Sequence, residues 1–391
     1  MDTQNTPIHI TLWHKDFWAV ITVNLLLSTS VTLLFPAFPS LMASAFSFGC
    51  LDTGVAFMLF AVGLFLPGIF CSYLVQKYRR NMVCQMSMLL LVLSTVFLWL
   101  VTTGRITVPT SALFIYRLFS GSMFGLAQMV LSSTLVIDTT ESFKRTEANH
   151  AAEWFRRFSI ALGPGLALYI SKIMDYADVL FVSMGLGLLS MIVLSTIHFP
   201  FKSPEDTCRI LSLDRFFMPK SYWLTLNLFL STFSFGLILS TCNTWITYCF
   251  IGLGFLTAIL TENMIFANAS IKSEAVTGLV LAGASVLILL TRHGDATTYI
   301  APFIMGLGYG ALGSRFLLFF VKLSMHCQRG TSQSTFFLAW ESGLIVGIGL
   351  GLMLIDGNDN LPYIIALSLI VVSLLLYILV AHPWYMKHKN R

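Results

Sequence analysis

Long uninterrupted apolar runs constrain this chain more than any other feature of its sequence. Residues 361–380 carry no charged side chain, and neither does the stretch 221–260. An α-helix needs about 20 apolar residues to cross a bilayer, and these runs meet that length. Charged residues make up only 10% of the 391 residues, against about 25% in soluble domains. The sequence therefore predicts a polytopic membrane protein and excludes a soluble enzyme, a disordered chain and a nucleic-acid binder.

The runs are continuously apolar rather than alternating, which favours helices over the strands of a transmembrane barrel. The stretch 221–260 is too long for one crossing, and turn-prone residues at 242–244 divide it. The first run is longer than a signal-peptide core of about 7–15 residues, so we expect it to remain as the first helix. We predict an all-α membrane protein with 12 transmembrane helices at 17–39, 53–75, 82–102, 109–136, 151–171, 178–199, 221–241, 244–267, 275–292, 299–321, 333–355 and 361–381.

The basic residues lie mainly on one side of these predicted helices. With both termini inside, the cytoplasmic segments hold 16 Lys and Arg residues and the outer loops hold three, Arg105, Lys172 and Arg292. Cytoplasmic loops of membrane proteins are enriched in Lys and Arg. We therefore predict a multi-pass protein of the cytoplasmic (inner) membrane with both termini in the cytoplasm.

The longest predicted loop lies in the middle of the chain. Residues 203–206 (SPED) have the cap, proline and acidic residues of a helix start, and five apolar residues follow between 210 and 217. This pattern predicts a short helix on the inner membrane surface. We expect residues 1–199 to form one six-helix bundle, residues 200–220 a cytoplasmic linker with this surface helix, and residues 221–391 a second six-helix bundle.

Weak internal repeats support this division. Residues 24–29 match residues 227–232 in five of six positions, and the glycines of 121–125 recur at 306–310 in the same helix order. Parallel repeats about an axis along the membrane normal are typical of two-domain transporters. The two bundles are therefore predicted to be pseudo-symmetric.

Four segments of the chain are similar to motifs of the major facilitator superfamily. They are LFPAFP at 34–39, the loop 72–80 after the second helix, RLFSG at 117–121 in the fourth helix, and Gly163-Pro164 in the fifth. The resemblance is to the drug-exporter-like branch, which contains drug:proton antiporters. It implies the fold of that superfamily and a secondary transporter that works by alternating access.

The resemblance also implies roles for individual residues. The loop residues Gln76, Lys77, Arg79 and Arg80 would form a gating loop or, alternatively, an ordinary cytoplasmic basic cluster. Gln76 stands where the family loop has Asp, and Arg79 stands where it has Gly. Small residues that permit close helix packing are expected at Gly121, Gly125, Gly163, Pro164, Gly343 and Gly347.

Charged residues within the predicted helices are candidate cavity or coupling residues, because a charge in the hydrocarbon needs a cavity or a partner. Arg117, Arg315 and Glu262 belong to this group, each with a structural or interfacial alternative. Arg157 and Glu341 each lie six residues before a glycine that the repeat aligns, so we predict opposite charges that face each other. The alternatives are a local Glu153–Arg157 pair, with Arg156 extended to the inner surface, and a static Glu341 pair with Arg157 or Arg117.

These observations favour a proton-coupled exporter of a small organic molecule, and a metabolite uptake permease of the same fold is the alternative. A transporter-like sensor and a membrane enzyme are less favoured, because no metalloprotease, nucleotide-binding or serine-hydrolase motif occurs. The seven cysteines show no CxxC pair. We therefore expect no metal, no cofactor and no enzymatic activity. The expected partners are a small-molecule substrate, protons and the lipid bilayer, but not nucleic acid, and we expect a monomer.

Overall fold

A computed structural model describes residues 11–199, 209–264, 270–292, 294–354 and 360–389. Every regular element in these ranges is helical, as the apolar runs predict. We label the long helical stretches α1 (Lys15–Phe46), α2 (Cys50–Phe65 and Gly68–Lys77), α3 (Arg80–Thr102), α4 (Thr110–Asp138), α5 (Arg145–Ile170), α6 (Tyr176–Ser195), α7 (Tyr222–Leu239), α8 (Trp245–Met264), α9 (Ile271–Thr291), α10 (Asp295–Leu323), α11 (Arg329–Leu354) and α12 (Leu361–His388).

The described helices confirm a multi-pass helical membrane protein but give a lower count of crossings than predicted. Ten helices are long and apolar enough to cross a membrane, and the bent α2 makes an eleventh. The remaining long helix, α5, contains Glu153, Arg156 and Arg157 in its central part. These charges lower its hydropathy, so length and composition alone do not identify it as a crossing.

Prolines account for the breaks in the first two helices. The first was predicted to end at residue 39 but continues to Phe46 after an interruption at Leu33. Because a new helix begins at Leu34, Pro36 lies in a first turn, where a missing N–H breaks no helical hydrogen bond. In α2, Pro67 separates two segments that are bent by 43°.

The helices pack in the same pattern in both halves of the chain. In the first half α1 lies against α5 and α6, and α4 lies against α2 and α3. In the second half α7 lies against α11 and α12, and α10 lies against α8 and α9. The two halves meet where α2 contacts α11 and where α5 contacts α8. This arrangement leaves α5 and α11 at the interface between the halves.

Glycines allow the closest of these helix contacts. A Cβ atom added at any of five predicted packing glycines would overlap an atom of the neighbouring helix. The overlaps are with Phe60 for Gly121, Leu64 for Gly125, Thr32 for Gly163, Thr232 and Phe229 for Gly343, and Phe233 for Gly347. Pro164 is buried inside α5 beside Gly163. Small residues therefore stand where the backbones of two helices approach each other.

The predicted surface helix of the linker is not found in the described part of the linker. Its start at 203–206 lies outside the described residues, and residues 209–218 form turns, followed by a single 3-10 turn at Pro219–Ser221. The reason is visible in the packing of Phe216, which is buried against Gly68 of α2. The apolar residues of this segment do not share one face, because Phe216 turns towards the protein while Ile210 and Leu211 are exposed. We call the end of the molecule that holds residues 209–218 the linker end, and the opposite end the far end.

Candidate functional site

Four charged residues form a buried cluster between the two halves, halfway along α5 and α11. Arg156 donates from Nε to Oε2 of Glu153 at 3.0 Å and from Nη2 to Oε1 of the same carboxylate. Its Nη1 donates to Glu341 Oε1 on α11. Arg156 is 2% exposed and Glu341 is 3% exposed. The ion pair of Arg156 and Glu341 therefore joins the halves away from water.

Arg157 completes this charge cluster from the other side of α5. Its Nη1 donates to the Gly310 carbonyl of α10 at 3.0 Å, and its Nη2 lies 3.8 Å from Glu153 Oε1. The guanidinium carbon lies 4.4 Å from the ring centre of Trp154 and 5.0 Å from that of Trp340. Aromatic faces attract a cation, so the two indoles stabilise Arg157. The cluster holds two positive and two negative side chains and is neutral as a whole.

The predicted pairing of Arg157 with Glu341 is absent from the described structure, because Arg156 pairs with Glu341 instead. The alternative in which Arg156 extends to the inner surface is absent too, since Arg156 is buried. Consecutive residues on a helix point about 100° apart. The rotation of α5 directs Arg156 towards α11 and Arg157 towards α10. The local contact between Glu153 and Arg157 exists at 3.8 Å, but Arg156 is the closer partner of Glu153. Arg156 was therefore missed as a site residue, although its position inside the predicted helix 151–171 was a usable signal.

Four carboxamide side chains surround a small cavity next to the charge cluster. Asn24 of α1, Gln128 of α4, Asn149 of α5 and Gln333 of α11 line it together with Glu153 and Arg156. All four amides are at most 4% exposed. The cavity volume is about 10 Å³, which is room for roughly one water molecule. We call this cavity and its four amides the amide pocket, and the sequence analysis did not identify it.

Arg117 lies apart from the charge cluster. It is 1% exposed, and its guanidinium carbon lies 4.4, 4.8 and 4.6 Å from the rings of Phe38, Phe57 and Phe60. Among the described residues no carboxylate forms an ion pair with it, and its Nε and Nη2 have no hydrogen-bond partner. The predicted pair of Arg117 with Glu341 is therefore absent from the described structure. Three aromatic faces take the place of a counter-ion.

Glu262 and Arg315 meet other partners near the linker end. His150 Nε2 of α5 lies 3.1 Å from Glu262 Oε1 of α8, and Ser314 contacts both at 2.6 and 2.8 Å. Arg315 forms an ion pair with Glu274 of α9. His150 and Glu274 were missed because each lies one residue before a predicted helix, at 151–171 and at 275–292. The contact of His150 with Glu262 places a histidine between the two halves.

Three residues of the predicted gating loop, Gln76, Lys77 and Arg80, bond to side chains of the first half. Arg80 Nη1 donates to the Asp138 carboxylate at 2.7 and 2.5 Å, and Asp138 ends α4. Gln76 donates to Ser72 at 3.2 Å, and Lys77 donates to Tyr73 at 2.6 Å. The Arg80 bonds hold α3 to α4 at the linker end, whereas the other two bonds stay within α2.

The linker contacts both halves at this end. Asp214 Oδ1 accepts from Thr331 of α11 at 2.8 Å, and its Oδ2 accepts from Ser72 of α2 at 3.5 Å. The Arg215 backbone N–H donates to Thr331 Oγ1 at 2.9 Å, and its side chain donates to Thr134 of α4 at 3.1 Å. We call Asp214, Arg215 and these three partners the linker clamp.

Arg215 adopts an uncommon conformation in the linker clamp. Its φ is +57°, in the left-handed region that non-glycine residues rarely occupy. Burial lowers the pKa of its guanidinium, and the nearby Arg80 cation lowers that pKa further. A strained residue beside a like charge keeps its position only where surrounding contacts hold it there. The clamp therefore depends on the close approach of α2, α4 and α11.

The far end is less tightly closed. A cavity of about 120 Å³ lies between the halves there, lined by Pro36, Pro39, Leu168, Tyr248 and Leu352, among others. A larger cavity of about 630 Å³ opens beside it and is lined by residues of the second half such as Asn243, Arg292 and Tyr363. Neither of these two cavities is lined by a residue of the charge cluster, and the four residues of the cluster are buried in the described structure.

Comparisons with known proteins agree with this architecture. The sequence model of the Major Facilitator Superfamily matches residues 20–271. The nucleoside transporter NupG has a similar structure, with a TM-score of 0.62 and 12% identity, covering 96% of this chain and 100% of that one. The human organic anion transporter MFSD10 (TETRAN) gives a TM-score of 0.67 and 14% identity, covering 92% and 98% of the two chains. No curated protein sequence matches the chain.

Proposed function

Because this chain belongs to the Major Facilitator Superfamily, we propose that it is a secondary active transporter that moves a small organic molecule across the cytoplasmic membrane by alternating access. Membership in a superfamily of transporters confirms the prediction that the chain is not an enzyme. The observation that carries the proposal is the ion pair of Arg156 and Glu341, which joins the two halves at the middle of their helices. For the halves to rock apart, this pair has to break and form again.

The proposal includes twelve crossings in two bundles, residues 1–199 and 221–391. Helix α5 supplies the twelfth crossing, because its charges are paired in the charge cluster and are not exposed to lipid. The matching helix contacts of the two halves support this division. The basic residues place both termini and the linker end in the cytoplasm. The protein works as a monomer within the bilayer.

Proton coupling belongs to the same proposal. Glu153 shares a helix with Arg156 and stays beside it when the halves part, whereas Glu341 lies on the other half. A buried carboxylate that loses its cation takes up a proton, because an isolated charge in the membrane is costly. Export in the manner of the drug-exporter-like branch is the direction that the motifs favour, and uptake of a metabolite is the alternative.

Arg117, Glu262 and Arg315 keep their proposed roles in the cavity and in coupling. Glu262 forms a contact between the halves through His150 at 3.1 Å, so it has to separate from this histidine whenever α5 and α8 move apart. Arg315 acts next to it through its ion pair with Glu274. Two nitrogen atoms of Arg117, Nε and Nη2, have no hydrogen-bond partner in the described structure, and their N–H donors are available to a solute or a carboxylate in another state.

We propose that the linker clamp, rather than the loop 76–80, closes the cytoplasmic end. Gln76 stands where the family loop has an acidic residue, and its hydrogen bond to Ser72 stays within α2. Asp214 supplies a carboxylate that contacts α2 and α11 together. Gln76 and Arg80 bond to residues of the first half, as the proposal requires.

Replacement of Asp214 should open the cytoplasmic end. In a background without native cysteines, Ser133→Cys is a suitable probe, because Ser133 of α4 packs against Gly330 of α11. Asp214→Ala removes charge-assisted hydrogen bonds, and we expect maleimide labelling at position 133 to accelerate by about tenfold. A second probe, Ser240→Cys, lines the far-end cavity and should react more slowly at the same time.

The matched control is Asp52→Ala, which removes an exposed carboxylate at the far end and should change neither rate. Equal labelling of position 133 with and without Asp214 would show that the linker clamp does not hold the cytoplasmic end closed. Faster labelling at both probes would indicate general loosening rather than alternating access.

Counterflow tests the transport function itself. Proteoliposomes that contain the purified protein are loaded with an unlabelled solute and diluted into the same solute carrying a label. A transporter gives a transient uptake of label without ATP, because exchange needs no energy source. We expect this overshoot for at least one small organic solute. Folded protein that gives no overshoot with any member of a broad solute panel would contradict the proposed function.

A further inference from the structure

We propose that the substrate is a small neutral molecule with several hydrogen-bond donors and acceptors, such as a polyol, a sugar or a nucleoside, and that the amide pocket binds it. This inference rests on the proposed transport function and names its substrate class. It arises from one feature of the described structure: four buried carboxamides from both halves meet in one cavity.

Each of the four amides has one polar atom without a hydrogen-bond partner among the described residues. The atoms are Asn24 Oδ1, Gln128 Oε1, Asn149 Nδ2 and Gln333 Nε2. A buried polar atom without a partner is costly and is rare in folded proteins. Four such atoms around one cavity are explained if another molecule supplies their partners in the working cycle.

The bonds that two of the amides already make determine what remains for a ligand. Asn24 Nδ2 donates to the Ala152 carbonyl at 2.9 Å, and since a carbonyl only accepts, Asn24 Oδ1 is the atom left to accept from a ligand. Gln128 Nε2 donates to Ser28 Oγ at 2.8 Å, which leaves Gln128 Oε1 as a second acceptor. Asn149 and Gln333 offer donors. The pocket therefore fits a solute that carries both hydroxyl or N–H donors and oxygen or nitrogen acceptors.

In the enclosed state, the charge balance of the surroundings disfavours a charged solute. Arg156 and Glu153 line the amide pocket, and together with Arg157 and Glu341 they form a neutral cluster. A cation or an anion at the pocket would find every nearby opposite charge already paired, and its own desolvation would remain uncompensated. A neutral polar solute needs only the hydrogen bonds that the amides offer.

The pocket also has the position that alternating access requires. Asn24, Gln128 and Asn149 lie in the first half and Gln333 lies in the second. The cavity of about 10 Å³ is too small for a solute in this enclosed state. Separation of α11 from α4 and α5 would widen it, so that the solute binds the first half and Gln333 closes over it. The substitution that tests this is Gln333→Leu, which preserves most of the volume and removes the unpartnered donor.

The experiment measures the melting temperature of the purified full-length protein with and without probe solutes. The neutral probes are sorbitol, glucose and uridine, and the charged probes are tetraphenylphosphonium and p-aminohippurate. We expect at least one neutral probe to raise the melting temperature of the wild type by about 2 °C or more, and the responding member separates polyol, sugar and nucleoside. Without a probe, Gln333→Leu should melt at the same temperature as the wild type or higher, because an unsatisfied buried donor has been removed. The same variant should lose the response to the probe.

The matched control for Gln333→Leu is a glutamine outside the amide pocket. Gln85→Leu removes an amide on α3 that bonds to Ser195 outside the pocket and should keep the full response. A lower melting temperature of Gln333→Leu without a probe would mean that the amide belongs to a structural network or holds only ordered water, and it would overturn the proposal. A response to the charged probes alone, or no response to any neutral probe, would overturn it as well. The transport function is judged separately, since the reciprocal labelling at positions 133 and 240 does not depend on the substrate class.

Discussion

The Glu341→Gln variant is expected to lose transport that is driven by a pH gradient while it retains exchange of labelled for unlabelled solute. Glutamine keeps the shape of the side chain and one hydrogen bond to Arg156, but it cannot take up a proton. Exchange requires only that the loaded protein reorient, whereas accumulation requires a group whose protonation differs between the two states. We expect gradient-driven accumulation to fall by on the order of tenfold or more, measured in proteoliposomes with an imposed pH gradient.

The matched control for this variant is Glu147→Gln. Glu147 is an exposed carboxylate in the first turn of α5, so its neutralisation should leave both accumulation and exchange unchanged. A Glu341→Gln protein that still concentrates the solute with the pH dependence of the wild type would remove Glu341 from the coupling mechanism. The neighbouring carboxylates Glu153 and Glu262 would then be the next candidates.

Removal of the Arg156 cation should have the largest effect on stability. In the Arg156→Met variant, Glu153 and Glu341 remain buried and lose the cation that both of them contact. Loss of one partner of a buried ion pair lowers the free energy of unfolding by about 3–5 kcal/mol. We expect a clearly lower melting temperature and no counterflow.

A second substitution separates the electrostatic cause from simple loss of packing. In Arg156→Met with Glu341→Gln, the remaining charges are Glu153 and Arg157, whose Oε1 and Nη2 atoms are 3.8 Å apart. Because the cluster is neutral again, most of the lost stability should return, and the double-mutant cycle gives the coupling energy of the two residues. Transport should stay absent. Lys172→Met, which removes an exposed cation in a loop, is the control and should match the wild type. If the double variant is as unstable as the single one, the Arg156 side chain acts through its packing and not through its charge.

The clearest error of the sequence analysis concerned the linker. Residues 210–217 have enough apolar side chains for an amphipathic surface helix, yet the described residues 209–218 form turns. Hydropathy records that a residue is apolar but not which surface it covers. Phe216 packs on Gly68, and Asp214 bonds to Thr331, which is 117 positions away. Contacts over such distances outweigh the local preference of a short segment.

The amino-acid sequence is sufficient to identify this chain as a helical membrane protein. It also shows where most of the helices lie and which charged residues they contain. These properties depend on the chemistry of each stretch of about 20 residues against lipid. Arg117, Arg157, Glu262, Arg315 and Glu341 were identified in this way, because a charge inside an apolar run is visible without a fold.

The ion pairs that these charged residues form follow from the packing of the helices and are not visible in the sequence. A rotation of about 100° separates Arg156 from Arg157 on α5, and the packing of α5 against α10 and α11 selects Arg156 as the partner of Glu341. His150 and Glu274 lie just outside the predicted helix limits. His150 contacts Glu262, which is 112 positions away, and Glu274 pairs with Arg315, which is 41 positions away. The amide pocket draws on four helices. Which charged residues pair depends on the rotation of each helix and on contacts between residues distant in sequence. A hydropathy pattern holds no information about either.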